Sequence, residues 1–177
     1  RVHEATRFPV ESPLLHYTLN APDHYRVLSR VIRDEAIDVV VAAHVLAGAA
    51  VINAARRRGV PVLFDLKDWF PDSAAAYYDS PALKRLIRRS VLEIVKYNLD
   101  RSNRITTVSP GLVEKLAGFG YDADLITNGV DTRLFRPVDG GPVREAHGIE
   151  PGDYVIGFAG SIERWYALDR VIEAMPD

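Results

Sequence analysis

Cysteine is absent from the 177 residues of this sequence. Disulfide bonds and thiolate metal sites are therefore excluded, and a reducing compartment is compatible with the chain. Long apolar runs are missing too: none reaches the roughly 18 residues of a membrane span, and no signal peptide is visible. We therefore expect a cytoplasmic protein, with peripheral contact at a membrane as an open alternative.

A strong excess of one charge is also lacking. The formal net charge is −2, from 22 basic and 24 acidic side chains. No overall field therefore favours nucleic acid as a partner. Hydrophobic residues make up 47% and charged residues 26% of the chain, which is typical of one globular domain with a sizeable core.

Short β-branched segments alternate along the chain with stretches of helical periodicity. Strands are predicted over residues 39–41, 62–64, 105–108 and 124–127, and helices over residues 48–58, 81–100 and 110–119. This alternation predicts an α/β fold with a doubly wound, Rossmann-like parallel sheet. The uninterrupted valines at 39–41 further predict a strand that is covered on both faces.

The beginning of the chain has a weaker pattern. Val2–Pro9 and Leu14–Leu19 are predicted to be short extended segments, and Pro22-Asp23 is predicted to open a helix. Because the chain begins with arginine inside a predicted extended segment, we expect a first strand to be missing.

Residues 139–177 follow a third pattern. A turn-rich linker with one short helix is predicted over residues 139–152, then a strand over 154–159 and a helix over 168–175. One βα unit cannot bury a core of its own. We therefore predict an N-terminal domain over residues 1–138, the linker over 139–152, and a truncated second domain over 153–177.

Three segments resemble a known enzyme family. VSPGLVEKL followed by LITNGVDTRLFRPV, within residues 108–138, is similar to the end of the first domain of retaining GT-B glycosyltransferases of family 4. VIGFAGSIERWYALDRVIEAM at 155–175 is similar to the opening of that family's donor-binding domain. VPVLFDLKDWFP at 60–71 falls where the family has a histidine–aspartate segment.

The resemblance implies a GT-B N-terminal domain on the acceptor side of a glycosyltransferase. Its implied reaction transfers a sugar from a nucleotide diphosphate sugar to an acceptor hydroxyl, with retention, in polysaccharide, glycolipid or cell-envelope biosynthesis. The implied partners are the nucleotide-sugar donor, a sugar or lipid-linked acceptor and a missing C-terminal domain, with no cofactor. We therefore expect the chain alone to be inactive. A GT-B sugar-nucleotide 2-epimerase and a non-enzymatic interaction domain remain alternatives.

The candidate catalytic residues Asp68 and Lys67 follow the predicted strand 62–64, together with the candidate substrate-binding residues Asp65 and Trp69. Asp65 and Asp68 can accept hydrogen bonds from hydroxyl groups, and Trp69 can pack on a sugar ring. The family commonly has a histidine where this sequence has Lys67, so the resemblance carries over fully only at Asp68. The alternative is that Asp68 or Asp72 simply caps the next helix. The spacing D-x-x-D does not match a D-x-D cation site, so no metal is predicted.

Two further strand ends supply candidate substrate-binding residues. His44 and Gly48 follow the strand 39–41 and resemble the family's acceptor-cleft loop, although a lone histidine is more often structural. Ser109 either caps its helix or places a helix N-terminus at the cleft. Asn128, Gly129 and Asp131 either contact substrate or shape the crossing between the domains. Turn geometry is the alternative, because Asn128-Gly129 suits positive φ and Asp131 can cap a following turn.

The last candidates concern charge. Gly160 and Ser161, at the end of the predicted strand 154–159, are candidates for binding the donor phosphates, and Arg164 could supply a positive charge there. Four basic residues lie on the predicted helix 81–100: Lys84, Arg85, Arg88 and Arg89. These form either a solvated face or a contact with anionic lipid headgroups.

Overall fold

The computed structural model describes residues 2, 3, 5, 7–163 and 166–175. The chain divides into two compact units, Arg1–Asn128 and Gly129–Asp177. Each unit is described by itself below. The domain and linker boundaries predicted from the sequence stay predictions.

A four-stranded parallel sheet organises the first unit. Its strands are β1 (Val40–Ala42), β2 (Val62–Leu66), β3 (Arg104–Thr107) and β4 (Asp124–Leu125), in the spatial order β1-β2-β3-β4. The helices are α1 (Pro13–Asp34), α2 (Val45–Arg56), α3 (Phe70–Ala76), α4 (Pro81–Asp100) and α5 (Pro110–Ala117). This α/β arrangement confirms the predicted Rossmann-like fold, in which helices flank a parallel sheet.

The core packs against one face of β2, the face formed by its first, third and fifth residues. Val62, Phe64 and Leu66 are at most 1% exposed, as expected for every second residue of a strand with one face against helices. Ile52 of α2 and Val95 of α4 belong to the same buried cluster. The chain thus buries its sheet by the period-two pattern of its longest strand.

Strand β1 departs from the prediction. Val41 is 62% exposed and Val39 is 55% exposed, whereas Ala42 is buried. The prediction of a strand covered on both faces is therefore wrong for β1. A run of valines satisfies strand propensity, but it does not say what packs on each face.

The start of the chain is helical where extended structure was predicted. Residues 14–19 belong to α1, which has Pro13 in its first turn and continues through Pro22. Pro22 lacks the N–H that would bond the carbonyl of Thr18, one turn earlier. Tyr25 and Leu28 pack against the core, so tertiary contacts outweigh that loss. Within Val2–Pro9, the described residues 2, 3, 5 and 7–9 form no strand.

The second unit contains α6 (Gly141–Ala146) and α7 (Leu168–Glu173). α6 is the short helix predicted within the linker. The strand predicted over residues 154–159 is absent: those residues are irregular, and Tyr154 is 99% exposed. A strand needs a partner for its backbone hydrogen bonds, and the described part of this unit provides none.

Candidate functional site

A cleft of about 180 Å³ opens at the carboxyl ends of β1 and β2. Its wall consists of Ala43, His44, Val45, Leu66, Lys67, Asp68 and Phe70. Ligands of parallel α/β sheets bind at this edge, because the loops that follow the strands meet there. The structure thus brings His44 close to Lys67 and Asp68, which lie more than twenty residues later in the sequence.

Lys67 lies at the cleft and forms an ion pair with Asp65, two residues earlier in the chain. The Lys67 Nζ atom lies 3.5 Å from Oδ2 of Asp65. The other carboxylate oxygen of Asp65 accepts a hydrogen bond of 2.9 Å from the Thr106 hydroxyl on β3. Asp65 does not line the cleft, so its observed contacts are those of a positioning residue for Lys67.

Asp68 differs from the neighbouring carboxylates. It is exposed, and within the part of the chain that the structure describes its carboxylate forms no ion pair or hydrogen bond. The helix-capping alternative is wrong for this residue, because the N-cap of α3 is Trp69 and no side chain caps that helix. Asp72 lies in the first turn of α3 and pairs with Arg88 at 2.7 Å. Asp68 is therefore available to a ligand.

The Trp69 ring packs against residues that do not line the cleft. It stacks on Phe119 with ring centroids 5.4 Å apart, and the Lys115 Nζ atom lies 4.7 Å from its centre. These contacts join the loop after β2 to the end of α5. The predicted sugar-stacking role of Trp69 stays a prediction, and Phe70 is the aromatic residue of the cleft wall.

His44 caps a helix as well as lining the cleft. Its Nδ1 atom accepts a hydrogen bond of 3.4 Å from the backbone N–H of Ala47, and α2 begins at Val45 rather than at the predicted Gly48. The Tyr17 ring lies 4.3 Å from the His44 ring, centroid to centroid. Desolvation, followed by the nearby His24, lowers the pKa of His44. A neutral ring with one nitrogen engaged leaves the other free to donate to a ligand.

Sequence reasoning missed Tyr17 and His24. The signal was present, since residues 17, 24 and 28 recur at a helical spacing and share a face of α1. The extended assignment of residues 14–19 concealed that spacing. His16 and His24 are also close to Tyr17, with ring centroids at 5.1 Å and 5.9 Å.

This histidine cluster predicts a pH dependence of stability. Desolvation first, then His16, lowers the pKa of His24 from its ordinary 6.5, and Asp23 opposes the shift. Because the pKa of His24 is lower in the folded protein, the unfolded chain takes up a proton first as the pH falls. The contribution of neutral His24 to stability is therefore fully present above pH 6.5 and is lost as the pH falls through the folded pKa. We expect the melting temperature to fall between about pH 7.5 and pH 5, and to fall less in His24→Gln.

Thermal unfolding at both pH values checks this expectation. His147→Gln is the matched control, because His147 is exposed and lies in the second unit, outside the cluster. Equal pH sensitivity of His24→Gln and the unmodified protein would contradict the role given to His24.

Gly48 and Ser109 have structural positions. Gly48 is buried, and a Cβ atom built on it would lie 2.5 Å from the Asn98 Nδ2 atom. The Ser109 hydroxyl accepts a hydrogen bond of 3.3 Å from the backbone N–H of Leu112, which confirms the predicted cap of α5. Neither residue lines the cleft, and their substrate contacts stay predictions.

Asn128 ends the first unit, and Gly129 begins the second. Neither residue has positive φ, so the turn geometry predicted for this pair is wrong. Asp131 accepts a hydrogen bond of 2.9 Å from the backbone N–H of Arg133, which confirms the predicted cap of a turn. Hydrogen bonds from the Arg133 side chain and backbone lower the pKa of Asp131.

Gly160 and Ser161 are exposed residues of the second unit. They do not end a strand, and α7 begins only at Leu168, so the strand–helix junction predicted there is wrong. A Cβ atom on Gly160 would lie 3.1 Å from the Phe158 ring. Arg164 lies outside the described residues. The phosphate-binding role of these three residues stays a prediction.

Two absences concern the described residues. No group of three or more histidine, cysteine, aspartate or glutamate side chains among them could hold a metal ion. None of their helices is long and apolar enough to cross a membrane.

A parallel α/β sheet with a polar cleft at its carboxyl edge defines a Rossmann-like ligand-binding domain. The sequence profile of the family described as "Glycosyl transferase 4-like domain" matches residues 1–165. The chain therefore belongs to the glycosyl transferase 4-like family, and the resemblance is confirmed at the level of that family. It is a domain of a transferase that binds a sugar donor and an acceptor. A comparison with curated proteins found no match.

Proposed function

We propose that the protein transfers a sugar from a nucleotide diphosphate sugar to an acceptor hydroxyl, with retention, and that residues 1–138 form its GT-B acceptor-side domain. One observation supports this most: the Asp68 carboxylate has no partner among the described residues and lies beside Lys67 and His44 in a cleft at the carboxyl edge of the sheet. A cleft that offers an acceptor, a cation and a neutral donor suits a polyhydroxylated ligand.

The proposed roles follow from the chemistry of the groups. Asp68 accepts a hydrogen bond from the acceptor hydroxyl, and the Lys67 ammonium stabilises negative charge that develops as the sugar–diphosphate bond breaks. The bond between the anomeric carbon and the acceptor oxygen then forms, and the hydroxyl proton passes to the oxygen of the departing diphosphate. His44 donates a hydrogen bond to a hydroxyl of the bound sugar. No cofactor or metal is needed for these roles.

The donor side is proposed to lie in a second domain that begins at residue 153. There the predicted Gly160, Ser161 and Arg164 would contact the diphosphate, and this chain alone would be inactive. Polysaccharide, glycolipid or cell-envelope synthesis is the proposed setting, in the cytoplasm. The basic residues Lys84 and Arg85 on α4 support a peripheral contact with anionic lipid, and both border an open depression of about 400 Å³.

The experiment uses the complete protein that carries this chain. It is incubated with UDP-, GDP- and ADP-sugars and a mixture of sugar acceptors, and released nucleotide and glycosylated product are quantified. Transfer from one donor, with the anomeric configuration kept, is expected. An epimerised nucleotide sugar with no glycosylated product would assign the protein to the 2-epimerases. Failure to bind any nucleotide would favour an interaction domain.

A further inference from the structure

An arginine-rich groove lies between the C-terminal half of α1 and the C-terminal end of α2. Its volume is about 820 Å³. Five of its seven lining residues are arginine, and the full set is Tyr25, Arg26, Ser29, Arg30, Arg33, Arg57 and Arg58. We name it the arginine groove.

The arginine groove is separate from the cleft. α1 and α2 each end shortly before the strand that follows them, so their C-termini lie at the amino edge of the sheet. The cleft lies at the carboxyl edge. Along α1, Tyr17 beside the cleft residue His44 and Arg30 in the groove are about 20 Å apart at the helical rise.

Two of the five arginines are neutralised by nearby carboxylates. Arg26 pairs with Asp23 at 2.9 Å, and Arg33 pairs with Asp34 at 2.6 Å. The pKa of Asp34 is lowered first by its hydrogen bond from Arg33. The remaining arginines of the groove therefore carry its excess positive charge.

The other three guanidinium groups form no ion pair within the described residues, and Asp34 attracts Arg30 and Arg58 only at longer range. Arg57 donates a hydrogen bond of 3.4 Å to the Tyr25 hydroxyl, and this hydrogen bond is the main cause that lowers the pKa of Tyr25. No ion pair holds Arg30 or Arg58 in the part of the chain that the structure describes. Three like charges on one concave surface repel each other, and a bound anion would remove that repulsion.

We propose that the arginine groove binds a ligand that carries two or more phosphate groups. A guanidinium group presents paired N–H donors that match phosphate oxygens, and three such groups exceed what one phosphate needs. The groove volume falls in the range of small-molecule sites. Nucleic acid fits less well, because Tyr25 is the groove's single aromatic residue and offers no series of stacking platforms.

Calorimetric titration of the chain with inorganic tripolyphosphate tests the proposal. The double variant Arg30→Gln/Arg58→Gln should weaken binding by about tenfold or more, because two charge-assisted contacts are lost. The control, Arg136→Gln/Arg170→Gln, removes the same charge from exposed positions of the second unit and should bind as the unmodified chain does. Both double variants should unfold at the same temperature as the unmodified chain, because the substituted side chains are exposed.

A second arm distinguishes the sources of phosphate. Co-sedimentation uses vesicles of phosphatidylcholine with or without cardiolipin, a lipid that carries two phosphate groups. Tripolyphosphate binding without vesicle binding identifies a soluble ligand, and groove-dependent binding to cardiolipin vesicles identifies a lipid headgroup. Equal binding by both double variants, no binding in either arm, or tighter binding of an oligonucleotide would overturn the proposal. None of these results depends on sugar transfer.

Discussion

Replacing Gly48 by alanine is expected to lower the free energy of unfolding by about 3 kcal/mol, the upper end for added volume in a packed core. The added Cβ would lie 2.5 Å from Nδ2 and 2.8 Å from Cγ of Asn98. Asn98 is fully buried, and its Nδ2 atom donates a hydrogen bond of 2.8 Å to the Val45 carbonyl. The side chain therefore cannot move away without losing that bond, and α2 and α4 must separate instead.

Urea unfolding of matched variants measures this effect. Gly111→Ala is the control, because Gly111 is also helical, but a Cβ there meets nothing within 4 Å. It should be neutral or stabilise by about 0.5–1 kcal/mol, since alanine favours the helix.

The source of the penalty can be isolated with Asn98→Ala. This change makes room for a Cβ at Gly48 and removes an Oδ1 atom that is buried without a hydrogen-bond partner among the described residues. In that background, Gly48→Ala should cost less than about 1 kcal/mol. An undiminished cost would show that Asn98 is not the cause.

Sugar transfer by the complete protein is expected to fall about 10- to 100-fold in Asp68→Ala, with unfolding unchanged. A hydrogen bond to a charged group contributes about 1.5–3 kcal/mol, which corresponds to that loss in rate. No described residue depends on the Asp68 carboxylate for a contact, so its removal should not disturb the fold. Initial rates at saturating and limiting donor check the loss.

The control for Asp68 is Asp122→Ala. Asp122 is also an exposed loop aspartate, but it does not line the cleft. Full activity of Asp68→Ala would move the acceptor site away from the loop after β2. Full activity of Lys67→Ala, with Asp68→Ala inactive, would restrict the catalytic role to the carboxylate.

Local features were predictable from the sequence because short-range interactions determine them. The cap predicted at Ser109 is present, and Ser80 caps α4 in the same way: each hydroxyl accepts a hydrogen bond from a backbone N–H in the first turn of a helix that begins with proline. Gly59 lies just past the end of α2 with a φ of +71°, a conformation that glycine adopts without strain. His44, Lys67 and Asp68 were predicted to follow the ends of parallel strands, and in the structure these strand ends share one edge of the sheet.

The predictions failed where contacts with residues distant in the sequence determine the local structure. Residues 154–159 have strand propensity, but the described chain supplies no neighbouring strand, so they stay irregular. Residues 14–19 look extended between prolines, yet packing of α1 against the core makes them helical. Propensity is worth tenths of a kcal/mol per residue, and burial of a side chain is worth more.

The sequence by itself therefore determined the α/β class, most helix ends and the cleft residues that follow the strands. Only the tertiary structure decided that Gly48 is needed against Asn98, that Trp69 stacks on Phe119, and that arginines of α1 and of the turn after α2 meet in one groove. Each of these depends on which faces of two distant elements touch. That choice minimises the free energy of the whole packed unit, and no local window of sequence contains it.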